Sequence, residues 1–144
     1  MQTPTAGAGI VLFAHGSRDP AWCGPIEAVA GHIRQLAPGT PVVCAYLEHS
    51  APNLDAAITH LLTEGARSIT VWPMFLGAGR HARDDLPRLV TALQQRYPGL
   101  TIDLRPAITE HPGVLHAMAV ATLDGRGLLD QNRHNDGATY SKIP

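Results

Sequence analysis

GIVLFA, residues 9 to 14, is a run of apolar residues and one glycine with no polar member, and it stops abruptly at His15-Gly16-Ser17-Arg18-Asp19-Pro20. A strand that alternates apolar with polar residues has one wet face, whereas a short run without alternation is covered on both faces, as in a parallel sheet. The chain downstream supplies the cover. From Trp22 to about Leu36 the residues Ile26, Val29, Ala30 and Ile33 recur at i, i+3, i+4 and i+7, one stripe of an amphipathic helix, and Pro38-Gly39 ends it. A buried strand, a short polar connection and a helix form one βα unit.

The same unit repeats. PVVCAYL, residues 41 to 47, reads as a second strand and delivers Glu48-His49-Ser50. Asn53 or Ser50 can cap a helix striped by Leu54, Ala57, Ile58, Leu61 and Leu62 and ended by Gly65. SITVWP, residues 68 to 73, is a third strand, and its exit is the stretch WPMFLGAGRHARDDLP, residues 72 to 87. There Gly77-Ala78-Gly79 reads as a hinge, Arg80, His81 and Arg83 as loop residues, and Asp84 or Asp85 before Pro87 as the start of a helix. Leu86, Leu89, Val90, Leu93 and Tyr97 stripe that helix, Leu100 to Leu104 is a fourth strand, and His111-Pro112 opens a last helix with Leu115, Met118 and Ala119 facing inward.

Four alternations predict a single α/β domain of three layers, a four-stranded parallel sheet flanked by helices and joined by right-handed crossovers. It is expected to occupy residues 1–124. Residues 125–144, polar and without periodicity, are expected to form a flexible tail.

Composition excludes several classes. At 144 residues the chain suits one domain, and 11 Lys plus Arg against 12 Asp plus Glu leave a net charge of −1, too little for a broad nucleic-acid footprint. No apolar run approaches the ~18 residues of a membrane span, and the N-terminus lacks a secretory pattern. Cys23 and Cys44 are too far apart for a C-x-x-C site, and Cys44 lies within a strand, so reduced thiols and a cytoplasmic location are expected.

All βα loops of a parallel sheet emerge at its carboxyl edge, where ligands bind in open α/β folds. His15, Glu48, His81 and the segment Thr109-Glu110-His111 therefore share one rim. If the first strand lies between the second and third, neighbours about 4.8 Å apart place His15 centrally, with Glu48 and His81 to either side. Two imidazoles and a carboxylate can form an open site for Fe(II), Co(II), Ni(II) or Zn(II). Each also has an ordinary reading: a hydrogen-bonded rim histidine, a helix N-terminal charge, a solvated histidine. Arg18, Arg80, Arg83 and Arg105 lie on or near the rim, which suits a substrate with carboxylates or phosphates, although surface arginines more often form weak ion pairs. Ala14 stands where a histidine-phosphatase loop needs arginine, there is no P-loop, and Gly77 and Gly79 are too few for a dinucleotide fingerprint.

AHGSRDP at 14–20, YLEHSAPNL at 46–54, WPMFLGAGRHARDDLP at 72–87 and ITEHP at 108–112 together resemble the short CbiX-type sirohydrochlorin chelatases, over about residues 9 to 123. The resemblance implies a chelatase-like domain that inserts Co(II), or Fe(II) or Ni(II), into sirohydrochlorin for cobalamin, sirohaem or a related product. It implies no permanently bound cofactor: the metal is a substrate, as is the tetrapyrrole. By the same resemblance His15 and His81 match metal-binding histidines, Glu48 the acidic position beside them, and a homodimer encloses the macrocycle. We expect Arg18, Arg80 and Arg83, with Gly77 and Gly79, on the substrate side. A non-catalytic metal or tetrapyrrole carrier using the same rim, and a small phosphoryl-handling enzyme, are the alternative classes.

Overall fold

The computed structural model describes residues 7–77 and 79–125, with only the backbone of His81 and Ala82. The chain divides into two compact units, one through Glu110 and one from His111.

In the first unit four strands, β1 (Ala8–Ala14), β2 (Val42–Tyr46), β3 (Ser68–Pro73) and β4 (Thr101–Leu104), form a sheet of order β2-β1-β3-β4. All three pairings are parallel. The register sets Ala14 beside Tyr46 and Phe13 beside Pro73. Strand residues divide by parity between two cores. Val11, Phe13, Ala45, Ile69 and Val71 pack with Leu54, Ile58 and Leu61 of α2 (Leu54–Thr63) and Leu86, Val90 and Leu93 of α3 (Arg80–Arg96). Leu12, Ala14, Val42, Cys44 and Tyr46 pack with Ala30, Ile26 and Ile33 of α1 (Gly24–Leu36). The three layers expected from uninterrupted apolar strands are present, and each fully buried leucine or isoleucine adds about 1.5–3 kcal/mol.

The helices change faces for a topological reason. From β1 to β2 the chain steps one way across the sheet, and from β2 to β3 and β3 to β4 it steps the other way. Crossovers of one hand must then put α1 on one face and α2 and α3 on the opposite face, as the two cores require. The reversal falls between β1 and β3, and open α/β folds bind ligands outside the carboxyl ends of the strands at such a point.

Several local expectations change. A 3₁₀ turn, Pro20–Cys23, precedes α1, with the Asp19 carboxylate accepting from the Ala21 N–H. Val29 is exposed, so the α1 stripe is narrower than the spacing suggested. Asn53, not Ser50, caps α2: its side-chain oxygen accepts from the Ala56 N–H at 2.9 Å. The α3 helix starts at Arg80, four residues before Asp84, and carries Pro87 inside it. Pro87 has no N–H to offer the Arg83 carbonyl, but both residues are exposed, so water can serve that carbonyl. The glycine hinge is also corrected. Gly79 has φ −60°, and among the described glycines only Gly7, Gly16 and Gly65 have positive φ. Gly77 and Gly79 therefore adopt backbone conformations open to other residues.

The second unit contains α4 (Pro112–Asp124), opened by His111, whose side chain accepts from the Gly113 N–H at 3.0 Å. The expected inward stripe is absent: α4 has no buried residue, and Leu115 and Met118 are exposed. Apolar residues surround this helix instead of lining one side. From residue 126 on, the tail expected over 125–144 lies outside the described residues. Among the described residues no helix is long and apolar enough to cross a membrane.

Candidate active site

The site is built from the ends of β1, β2 and β3. His15 follows directly on β1, the strand between the other two, and it is half-buried. Its ring lies against Phe75, centroids 4.3 Å apart and planes tilted by 31°. Phe75 is itself buried and meets Phe13 edge-on. A rigid aromatic face thus limits how His15 can turn. The sequence pattern did not single out Phe75; the contact comes from the β1–β3 register, which carries both chains past the strand ends side by side.

Parallel pairing continues into the loops. The Leu47 N–H donates to the Ala14 carbonyl at 2.9 Å, and the Glu48 N–H to the His15 carbonyl at 3.0 Å. Gly16 enables this approach. Its φ is +90°, and a Cβ added there would lie 1.8 Å from the Glu48 carbonyl oxygen. The Ser50 N–H then donates back to the Glu48 carbonyl at 2.8 Å, around His49 at φ 64°. That two-residue hydrogen bond with positive φ marks a tight γ-type turn, a strained conformation for a residue other than glycine. The Glu48 carboxylate is exposed, 3.7 Å from His49 Nε2.

On the other side of β1 lies β3, and the chain leaving it leads to α3. Its first turn holds Arg80, His81 and Arg83, contains no acidic residue, and is capped by Gly79 without a side-chain bond. The helix dipole and two guanidinium groups therefore add positive charge at one place. The backbone of His81 lies in this turn, but its side chain is outside the described set. Arg18, Arg80 and Arg83 are exposed, and none takes part in the ion pairs among the described residues. Arg105 is engaged elsewhere, 3.6 Å from Asp103 and over the Trp72 ring. The Thr109 hydroxyl donates to the Phe75 and Leu76 carbonyls, which ties the segment before Glu110 to the β3 exit. Leu76 is 80% exposed, and Leu47 and Trp22 are also exposed, so each of the loops leaving β1, β2 and β3 offers one large apolar side chain. Among the described residues no group of three or more His, Cys, Asp and Glu side chains is placed to hold a metal ion.

Beneath the rim, burial pushes the Cys44 thiol up to about 12, with Glu27 adding to the effect. Burial also raises the Tyr46 phenol, whose hydroxyl donates to Glu27 Oε1 at 3.4 Å. Neither group offers an anion at neutral pH.

The CbiX family profile matches residues 9–122. Over 82 residues the chain is 35% identical to a sirohydrochlorin cobaltochelatase from Methanothermobacter thermautotrophicus, a match covering 57% of each protein. Over the same length it is 34% identical to a sirohydrochlorin cobaltochelatase from Saccharolobus solfataricus, covering 57% of this chain and 62% of that protein. These matches thus span about three-fifths of the curated relatives' length. Among solved structures, a CbiX protein assigned to cobalamin (vitamin B12) biosynthesis in Marinobacter aquaeolei VT8 superposes with a TM-score of 0.73 at 32% identity, over 83% of this chain and 98% of that one. The cobalt complex of the sirohydrochlorin chelatase SirB from Bacillus subtilis subspecies spizizenii shares the fold, with a TM-score of 0.69 at 23% identity over 81% of this chain and 50% of that one.

Proposed function

Because the chain belongs to the CbiX family, we propose that it is a sirohydrochlorin chelatase, which inserts Co(II), or Fe(II) or Ni(II), into the macrocycle for a cobalamin- or sirohaem-type product. Relatives named sirohydrochlorin cobaltochelatase support the reading. What supports it is His15 at the end of β1, its ring against Phe75 and the Glu48 loop hydrogen-bonded to its backbone.

Metallation removes two pyrrole N–H protons while the metal exchanges ligands. A weak, open imidazole site beside a base suits that chemistry better than a closed cage, because the metal must be released. In this reading His15 and His81 hold the incoming metal, and Glu48 binds it or takes up pyrrole protons. Arg18, Arg80 and Arg83 pair with substrate carboxylates, and Gly77 and Gly79 leave room beside them. Exposed Leu76, Leu47 and Trp22 suit the apolar face of a flat ring. A second copy of the chain closes the other side of the macrocycle in a homodimer. Residues 1–124 form the chelatase domain with 125–144 as an appendage, and the protein works in the cytoplasm, where two free thiols stay reduced.

The test is the initial rate of sirohydrochlorin metallation under anaerobic conditions with Co(II), Fe(II) and Ni(II) in turn. Catalysis above the spontaneous rate with at least one metal is expected. Stoichiometric binding of metal and tetrapyrrole without acceleration would instead make the protein a carrier.

A further inference from the structure

We propose that Ser50 is a positioning residue for this reaction: its hydroxyl fastens the loop that carries His15 to the loop that carries Glu48. The inference rests on the assignment of those two residues to the site. Ser50 Oγ donates to the Ser17 carbonyl at 3.0 Å and accepts from the Ser17 N–H at 3.3 Å, across 33 residues of sequence. Cys23 Sγ, 3.7 Å away, is a third partner and a second donor to the same oxygen. A hydroxyl has one proton to give and two lone pairs to receive, so the Ser50 group is saturated. Its partners are the backbone of one loop and a side chain of the turn beyond it, which makes it a clasp.

The clasp is placed where it is needed. Immediately before it the backbone is bent through His49 at φ 64°, a conformation that persists only when its surroundings enforce it. Across from it Gly16 lies against the Glu48 carbonyl. The bond from Glu48 N–H to His15 carbonyl fixes one end of this contact and Ser50 fixes the other. Without Ser50 the His49 turn can relax, and the spacing between the His15 imidazole and the Glu48 carboxylate becomes variable. Chemistry that needs metal release and proton uptake in one geometry would slow, while substrate binding through the arginines would not.

The experiment compares the full-length wild type with Ser50→Ala and Ser50→Thr. We expect Ser50→Ala to lower kcat for Co(II) insertion about tenfold with KM changed less than twofold, and to speed hydrogen exchange at the Ser17 amide at least tenfold. Ser50→Thr, which keeps the hydroxyl, should recover kcat to within threefold. Unchanged kcat and Ser17 exchange in Ser50→Ala would overturn the inference. So would equal losses in both variants that track a fall in Tm, because the role would then be stability alone. A wild type without chelatase activity would overturn the function reading instead, and Ser17 exchange would still show whether the clasp holds the two loops.

Discussion

Replacing Gly16 by Ala tests the loop geometry most sharply, because two separate penalties can be worked out for it. The first is conformational: at φ +90° an L-residue carries about 1–2 kcal/mol of strain. The second is steric. The new Cβ would lie 1.8 Å from the Glu48 carbonyl oxygen and 3.0 Å from its carbon, both backbone atoms. Reaching ordinary contact near 3.5 Å requires the loops to separate by roughly 1.7 Å. That separation breaks the bond from Glu48 N–H to His15 carbonyl and strains the Ser50 clasp, two or three bonds of about 1 kcal/mol each. The sum is about 3–5 kcal/mol, a large part of the 5–15 kcal/mol typical of a domain. It should appear as a lower urea midpoint and a Tm reduced by roughly 10–15 °C. Gly65→Ala is the control: φ is +94° there, but nothing lies within 4 Å, so only the strain should be seen, about 1–2 kcal/mol. A Gly16→Ala protein no less stable than Gly65→Ala, with unaltered turnover, would refute the close approach of the two loops.

Three further outcomes follow from the same geometry. Gly77→Ala and Gly79→Ala, with open space around both Cβ positions and no positive φ, should each change stability by less than about 0.5 kcal/mol in urea titrations. Phe75→Leu keeps apolar bulk but removes the ring facing His15, so the His15 Hε1 resonance should move as the ring current disappears, at a cost of about 1–2 kcal/mol. Cys44 gives a pH dependence: its thiol is neutral in folded and unfolded chains below pH 9, and above it only the unfolded chain ionises until about 12. Stability should therefore fall as pH rises through this window, by up to about 1.4 kcal/mol per unit, and Cys44→Ala should flatten the fall between pH 9 and 10.

The sheet could be read from the sequence because buried parallel strands declare themselves: Gly9 to Ala14 has no polar side chain, Ser68 to Pro73 has Ile69, Val71, Trp72 and Pro73 with only Ser68 and Thr70 polar, and the observed strands differ by one residue or none. Helix ends were harder to read. Gly77, Gly79 and Pro87 are conventional punctuation, yet α3 runs from Arg80 through Pro87, because a missing bond on the solvated side of a helix is tolerated. For α4 the failure is of another kind, since residues apolar on every side define no stripe.

The rim was legible as a set of loops, because chain direction alone sends every βα connection to the same edge. Its internal contacts were not. The His15–Phe75 pair depends on strand register, and the Ser50 clasp depends on a 33-residue closure. The glycine that matters was found at 16, where a distant carbonyl excludes any side chain, and not at 77 or 79, where the spacing had drawn attention.

In the proposed reaction, imidazoles at the end of β1 and the start of α3 deliver metal to a tetrapyrrole. The most direct measurement is the anaerobic initial rate of Co(II) insertion into sirohydrochlorin, followed by absorbance, for wild type, His15→Ala and His81→Ala. The wild-type rate should lie well above the spontaneous one and fall at least 100-fold, about 2.7 kcal/mol, in each variant while both remain folded. Undiminished rates in both variants would contradict it.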